Sequence, residues 1–273
     1  MKPQLATDVI GVALPRLVVH LDLFSGIGGF ALAAQMVGGI QTAAFCEINP
    51  YAVRVLQKNF PGVPIHNDVK TLKPNNYGRI DLITGGYPCQ PFSHAGERKG
   101  ADDDRHLWPE VRRIIEECRP RMVLCENVAG HITLGLDQVL SELDSIGYSC
   151  GATVLPACAV DASHRRDRVW ILAHARGIVP QDGCSEPGIS SKEEAHWEAT
   201  WDNGRGDTGA RWEGENEYPV DGMAHGIPSR VDRLHGLGNA IVPQVAAEIL
   251  RCMMRVDSLH NACLSHGEGG ERP

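Results

Sequence analysis

The sequence predicts an α/β fold built on a doubly wound, mostly parallel sheet, and two observations lead to that prediction. A strand-like run at Val18–Phe24 enters the glycine-rich turn Ser25–Gly29 and then a helical run at Phe30–Met36. Such a unit is typical of sheets that bind nucleotides, because glycine lets a ligand approach the backbone. A second strand-like run, Gln41–Cys46, ends at Glu47, 21 residues after Gly26, which is the spacing of a βαβ unit.

Further strands and helices alternate along the chain. A glycine pair follows the short apolar run Ile80–Thr84, so the backbone can turn sharply at that strand's end. Periodicity predicts the remaining helices at Pro50–Phe60, Pro109–Cys118, Ile132–Ile146 and Pro243–Met254. Strands are predicted at Pro64–Val69, Met122–Cys125 and Tyr148–Leu155, and a further apolar strand follows Arg168. Alternation of this kind favours a sheet with helices on both faces.

Composition argues against several classes of protein. The chain has 273 residues, 42% of them hydrophobic, which fits one sizeable core or one domain with a small appendage. We find no apolar run long enough to span a bilayer and no signal peptide, and we expect residues 1–16 to form a loose leader. Nine cysteines without a Cys-x-x-Cys pair argue against a zinc site and a disulfide framework. We therefore expect a cytoplasmic protein without a metal.

Charge is distributed unevenly. The formal net charge of −8 opposes nucleic-acid binding if it is considered alone. Residues 176–222, however, contain four Lys/Arg and eleven Asp/Glu and therefore carry −7 of that total. The remainder is close to neutral, so the net charge says little about a local cleft.

A cysteine loop follows the glycine pair and is the strongest candidate for chemistry. Its sequence is Gly-Gly-Tyr-Pro-Cys-Gln-Pro-Phe-Ser over residues 85–93. Pro88 and Pro91 restrict the backbone on both sides of Cys89, so the thiol lies on a stiff loop at the carboxyl edge of the sheet. A nucleophile requires such fixed geometry. The alternative is a buried cysteine that acts as a small hydrophobic residue.

Six motifs in order resemble those of the DNA (cytosine-5)-methyltransferases, with the bacterial and phage type as the expected source. They include Asp-Leu-Phe-Ser-Gly-Ile-Gly-Gly-Phe from residue 22, Pro-Cys-Gln-Pro-Phe-Ser from residue 88, Glu-Asn-Val from residue 126 and Gly-Asn-Ala-Ile-Val-Pro-Gln-Val from residue 238. The resemblance covers residues 19–256 except 177–225. Two positions depart from the family: His164 stands in place of a glutamine, and a glycine is missing after Arg105.

The resemblance implies S-adenosylmethionine as cofactor on a sheet of that methyltransferase type. Phe24 would pack against the adenine, Glu47 would accept from the ribose hydroxyls and Asp68 would accept from the adenine amine. The other implied cofactor residues are Ser25, Gly26, Ile27, Gly28 and Gly29 beside the methionine moiety, Asn239 and Ile241 as closing residues, and Ile48, Val69, Pro88 and Leu107. The alternatives are a packing turn at the glycines, an exposed turn carboxylate at Glu47 and a helix cap at Asp68.

The resemblance also implies a catalytic set. Cys89 would attack carbon 6 of a flipped cytosine, and Glu126 would hold ring nitrogen 3 in a partly dry pocket that raises the pKa of its carboxyl. Arg166 and Arg168 would contact the base and its phosphate. Because side chains alternate along a strand, we expect these two arginines to share a pocket only if the chain bends. The alternatives are a helix cap at Glu126 and surface ion pairs for the arginines.

We divide the chain into a catalytic and cofactor-binding domain (17–176), a short, irregular target-recognition region (177–225), a C-terminal segment that returns to the catalytic domain (226–256) and a tail (257–273). Double-stranded DNA is the expected partner of a monomer, with a cognate restriction endonuclease as an optional second partner. Trp197, Trp201 and Trp212 would contact bases or anchor the acidic region. Phosphate contacts would come from Arg166, Arg168, Arg230 and Arg233. Two alternatives stay open: a tRNA cytosine-5 methyltransferase and a catalytically silent DNA-binding homologue.

Overall fold

The computed structural model of the protein describes residues 17–88, 107–160, 162, 165–176, 236 and 238–267. The strands are β1 (Val18–Leu23), β2 (Ile40–Cys46), β3 (Ile65–His66), β4 (Leu82–Gly85), β5 (Met122–Val128), β6 (Tyr148–Leu155) and β7 (Arg168–Ala175). The α-helices are α1 (Gly29–Val37), α2 (Pro50–Asn59), α3 (Trp108–Cys118), α4 (His131–Leu134), α5 (Leu136–Ser145) and α6 (Pro243–Gly267). Cys89, His164 and the predicted target-recognition region lie outside the described residues.

The seven described strands form one sheet in the order β3-β2-β1-β4-β5-β7-β6. Strands β1 to β5 pair in parallel, and β7 pairs antiparallel with both β5 and β6. The chain winds outward from β1 in one direction and from β4 in the other. A crevice therefore opens between the carboxyl ends of β1 and β4, where open α/β sheets bind ligands.

Helices cover both faces of the sheet. On one face, α3 and α5 bury Val111, Ile115 and Val139 against Leu21, Ile83 and other strand residues. On the opposite face, α1 and α6 bury residues such as Phe30 and Leu250 against β4, β5 and β7. The predicted doubly wound, mostly parallel α/β fold is confirmed. None of the described helices is long and apolar enough to cross a membrane.

Among the predicted elements whose bounds differ from the observed ones, three differ most. The third strand is limited to Ile65–His66. The helix predicted at Ile132–Ile146 is split into α4 and α5, because Gly135 has a φ of 155° and its N–H bonds the carbonyl of His131, which closes the first short helix. The helix predicted to end at Met254 continues to Gly267 as α6.

The extension of α6 is held by a buried acid. Asp257 is 5% exposed, accepts from Arg121 at the start of β5 and lies 3.6 Å from His174 Nε2 on β7. These contacts attach α6 to the sheet. The first residues beyond 256, which the sequence assigned to a tail, therefore belong to α6.

A row of buried polar side chains crosses the centre of the sheet. His20 lies 3.0 Å from Thr42 on β2 and 2.7 Å from Thr84 on β4, and the Thr84 hydroxyl donates to Asp22 Oδ1 at 2.7 Å. Burial lowers the pKa of His20 to about 3 and raises the pKa of Asp22 to about 8. Asp22 Oδ2 has no hydrogen-bond partner among the described residues, so a charge there would be uncompensated.

These two shifts predict a pH dependence of stability. Between about pH 4 and 6.5 the effects oppose each other, because the unfolded state binds the His20 proton whereas the folded state binds the Asp22 proton. Above pH 6.5 only Asp22 still contributes to the pH dependence of the unfolding free energy. The stability that its bound proton gives the folded state is lost as pH rises towards 8. We expect Asp22→Asn to remove about 1–2 kcal/mol of this decline in unfolding free energy.

Urea denaturation between pH 6.5 and pH 8 measures the effect, with the exposed Asp137→Asn as the matched control. A decline that persists undiminished in Asp22→Asn would exclude Asp22 as its source.

Candidate active site

A cavity of about 580 Å³ lies at the carboxyl edge of the sheet. The strand ends of β1 to β5 contribute to its wall, as do the residues that precede β7 and α6. Thirteen of the sequence-predicted site residues line it: Phe24, Gly26, Ile27, Glu47, Ile48, Asp68, Val69, Pro88, Leu107, Glu126, Arg166, Arg168 and Asn239. Their shared location follows from the parallel strands, which all end at this edge.

Four predicted cofactor residues do not line the cavity: Ser25, Gly28, Gly29 and Ile241. The Ser25 hydroxyl donates to the Asp22 carbonyl at 2.7 Å. A Cβ on Gly28, which has a φ of 91°, would lie 2.5 Å from the Phe60 ring, and a Cβ on Gly29 would lie 2.6 Å from Ile241. The glycines therefore allow close packing of α1 against α2 and against the start of α6, and the cofactor roles of these four residues stay predictions.

Glu47 connects the glycine turn to the start of α2 by accepting a hydrogen bond from each. Its Oε2 accepts from the Gly26 N–H at 2.6 Å and its Oε1 accepts from the Asn49 N–H at 2.7 Å. A carboxylate has about four acceptor positions, so both oxygens can still accept from a ligand. Phe24, just before this turn, has a φ of 52°, and such a left-handed conformation in a non-glycine residue is concentrated at functional sites.

Asp68 serves the turn after β3. Its Oδ1 accepts from the Lys70 N–H at 2.9 Å, so it stabilises a turn and not the helix that the alternative interpretation, a helix cap, requires. It also lines the cavity, and one carboxylate can do both.

Glu126 lies within β5, two residues before its end, because the strand predicted to stop at Cys125 continues to Val128, and its side chain is 8% exposed. Arg168 Nε donates to its Oε1 at 2.8 Å, whereas a Cβ built on Gly86 would lie 3.6 Å from its Oε2. Burial raises the pKa of Glu126, although the charges of Arg168 and Arg166 oppose the rise. The predicted rise in pKa is confirmed, and it favours the protonated carboxyl that can donate a hydrogen bond.

Both arginines line the cavity, and since Arg166 lies two residues before the start of β7, strand alternation does not separate them. Residues two apart on a strand point to the same face, and Arg168 begins β7. Their partners differ. Arg168 pairs with Glu126, whereas Arg166 Nη2 donates to the backbone carbonyls of Gly238 and Ala240 at 2.6 and 2.9 Å.

A buried pair beside the site was missed by sequence reasoning. The Tyr87 hydroxyl lies 2.9 Å from His131 Nε2, and the Asn127 amide donates to the Tyr87 carbonyl at 3.2 Å. These contacts join Tyr87, which follows β4, to Asn127 near the end of β5 and to His131 at the start of α4. No periodic or motif signal links Tyr87 to His131, since their contact depends on the register of the two strands.

Further wall residues were also missed, and one of them had a signal. Asn49 precedes Pro50, a typical start of a helix, and it caps α2 through hydrogen bonds from the Tyr51 and Ala52 N–H groups. The other missed lining residues include Tyr51, Asn67, Lys70, Gly236 and Gly238. In the part of the chain that the structure describes, no cluster of His, Cys, Asp and Glu could hold a metal ion.

Burial and the neighbouring arginine charges have opposite effects on the pKa of Glu126, and this gives a prediction. We expect Arg168→Met to raise the pKa of Glu126 further, because it removes a cation that favours the carboxylate. Carbon NMR titration of glutamate side-chain carboxyls measures this change. Arg165→Met is the matched control, since Arg165 is exposed and pairs with Asp167. A pKa that stays the same or falls in Arg168→Met would contradict the assignment of Arg168 as the opposing charge.

Known proteins resemble this chain in sequence. The Type II methyltransferase M.CviJI of Paramecium bursaria Chlorella virus IL3A is 36% identical over 167 residues, which is 59% of this chain and 44% of that protein. M2.BsuMI of Bacillus subtilis strain 168 is 34% identical over 185 residues, which is 63% of this chain and 47% of that protein. The chain thus spans about half the length of the curated relatives it matches.

The fold is similar to that of a solved methyltransferase, and a family model matches most of the chain. The crystal structure of the S. pombe Dnmt2 methyltransferase aligns with a TM-score of 0.51 and 25% identity, covering 58% of this chain and 51% of that one. The family model described as C-5 cytosine-specific DNA methylase matches residues 18–204. Because that match covers more than half of the sequence and agrees with the strand-end site, the chain belongs to the C-5 cytosine-specific DNA methylase family.

Proposed function

We propose that this protein transfers a methyl group from S-adenosylmethionine to carbon 5 of a cytosine in double-stranded DNA. The observation that carries the proposal is Glu126, a buried acid with a raised pKa that pairs with Arg168. It lies near the carboxyl end of β5, next to Gly86, which follows β4 and precedes Cys89 by three residues. Membership of the family supports the same conclusion.

The residues of the cavity fit the cofactor. A volume of about 580 Å³ is in the range of pockets that hold molecules of drug size. Glu47 and Asp68 offer carboxylate acceptors for ribose hydroxyls and an adenine amine, while Phe24, Ile27 and Ile48 offer apolar surface to the base. When bound, S-adenosylmethionine supplies an electrophilic methyl group to carbon 5.

In the proposed mechanism, a cytosine leaves the duplex at a cost of a few kcal/mol and enters the cavity. The Cys89 thiolate forms a bond to ring carbon 6, and the displaced electron pair makes carbon 5 nucleophilic. A protonated Glu126 donates to ring nitrogen 3 and offsets the charge that develops there. After methylation, loss of the carbon 5 proton to a base restores the double bond and expels the thiolate.

Arg168 has an orienting role in this mechanism. Its hydrogen bond to Glu126 Oε1 leaves Oε2 on the side of Gly86, the side from which the chain continues to Cys89. A carboxyl fixed in this way loses little orientational freedom when the substrate binds. Arg168 therefore holds the acid, and burial raises the pKa of its carboxyl, which favours the protonated form.

The thiol gives the first test. We expect Cys89→Ser to abolish methyl transfer but to bind S-adenosylmethionine like the unaltered protein, because a serine hydroxyl is a far weaker nucleophile without an added base. Transfer of labelled methyl to duplex DNA and to tRNA, followed by bisulfite sequencing, measures activity and substrate class. Cys252→Ser, at an exposed cysteine on α6, is the control. Turnover by Cys89→Ser would exclude the covalent mechanism, and a preference for tRNA would overturn the proposed substrate.

The carboxylate beside the glycine turn gives the second test. We expect Glu47→Ala to weaken S-adenosylmethionine binding by about 1–3 kcal/mol, the scale for losing a hydrogen bond to a charged group. Titration calorimetry measures the affinity, with Glu248→Ala as the control because Glu248 is exposed and pairs with Arg251 on the same helix. An unchanged affinity would remove Glu47 from the cofactor site.

A further inference from the structure

Arg166 is directed at the protein's own backbone. One nitrogen of its guanidinium, Nη2, donates to the carbonyls of Gly238 and Ala240 at 2.6 and 2.9 Å. Its Nε is buried and has no hydrogen-bond partner in the described part of the chain. Burial lowers the pKa of Arg166, and the neighbouring charge of Arg168 lowers it further. The guanidinium is thus partly desolvated and bound to two carbonyls, which is not the setting of a free phosphate ligand.

The carbonyls that Arg166 binds belong to a short stretch, residues 236 and 238–241, which we name the closing segment. Gly236 lies against the cofactor side of the cavity, since a Cβ there would be 3.4 Å from Ile27 and 3.6 Å from Tyr51. At the other end, Ile241 packs on Gly29 at the start of α1. Between these contacts, Asn239 and Ala240 line the cavity. The Ala240 N–H donates to the Gly236 carbonyl at 3.0 Å within the segment, and Arg166 adds two side-chain hydrogen bonds to its middle.

We propose that Arg166 is a positioning residue for the cofactor site, which holds the closing segment over the cavity instead of neutralising a DNA phosphate. Its neighbour Arg168 holds Glu126, so the two arginines tie the closing segment and the acid to the start of one strand, β7. The inference rests on the proposed function only for the identity of the cofactor.

Geometry explains why an arginine is needed here. One guanidinium nitrogen carries two N–H groups in a fixed plane, so it can reach two carbonyls that are two residues apart. A lysine keeps the charge, but its ammonium lies on a shorter and more flexible stem. Arg166→Lys therefore separates the role of geometry from the role of charge.

Calorimetry with S-adenosylmethionine is the first readout. We expect Arg166→Ala to raise the dissociation constant by about tenfold or more, the scale for losing hydrogen bonds to a charged group, and Arg166→Lys to restore only part of the affinity. Arg165→Ala, at the exposed arginine next in the chain, should bind like the unaltered protein. Unchanged affinity in Arg166→Ala would overturn the inference.

Duplex DNA binding across a salt series is the second readout, because it distinguishes a phosphate ligand from a positioning residue. If Arg166 neutralised a phosphate, Arg166→Ala would reduce the slope of log affinity on log salt by about 0.9. We expect an unchanged slope. A reduced slope together with full recovery in Arg166→Lys would show that Arg166 serves the phosphate and would overturn the inference.

Hydrogen exchange of the amides of residues 238–250 is the third readout, and it needs no cofactor. We expect faster exchange there in Arg166→Ala, and in Arg166→Lys if the alanine variant does not fold, with Arg165→Ala as the reference. If the unaltered protein does not bind S-adenosylmethionine, the proposed function fails, yet this measurement still decides the inference. Exchange equal to the reference would contradict it.

Discussion

The parallel pairing of β1 with β2 on one side and with β4 on the other is the constraint on which the rest of this structure depends. Leu23 is in register with both Cys46 and Gly85, so three strand ends lie side by side. The residues that follow them, including Glu47 and Gly86, therefore meet at one edge. Strand β7 runs in the opposite direction, and it thus delivers its first residue, Arg168, to the same edge.

Burial outweighs the neighbouring interactions in setting the direction of the pKa shift at two carboxyls. Asp22 and Glu126 both have raised pKa values, and desolvation is the main cause in each case. The opposing interaction is a Thr84 hydroxyl for Asp22 and the arginines 168 and 166 for Glu126. A carboxyl at a cavity wall that stays protonated beside a cation can donate a hydrogen bond to a substrate and still be held in one orientation.

Net charge is a poor guide to such a site. The chain carries −8, yet two arginines line the cavity. Both are engaged within the protein, Arg168 with Glu126 and Arg166 with backbone carbonyls. Positive charge at this edge thus organises the site itself.

Local sequence determined the fold class, most element positions and the strand-end location of Phe24, Glu47, Asp68 and Glu126, because apolar periodicity and glycine turns act over a few residues. It also indicated the raised pKa of Glu126. Only the tertiary structure decided that Gly28 and Gly29 serve helix packing, that Tyr87 meets His131, and that Arg166 binds the carbonyls of Gly238 and Ala240. Each of these contacts joins residues from different elements, and the Arg166 contacts span more than 70 positions. Strand register and helix packing bring such residues together, and neither is encoded in a short motif.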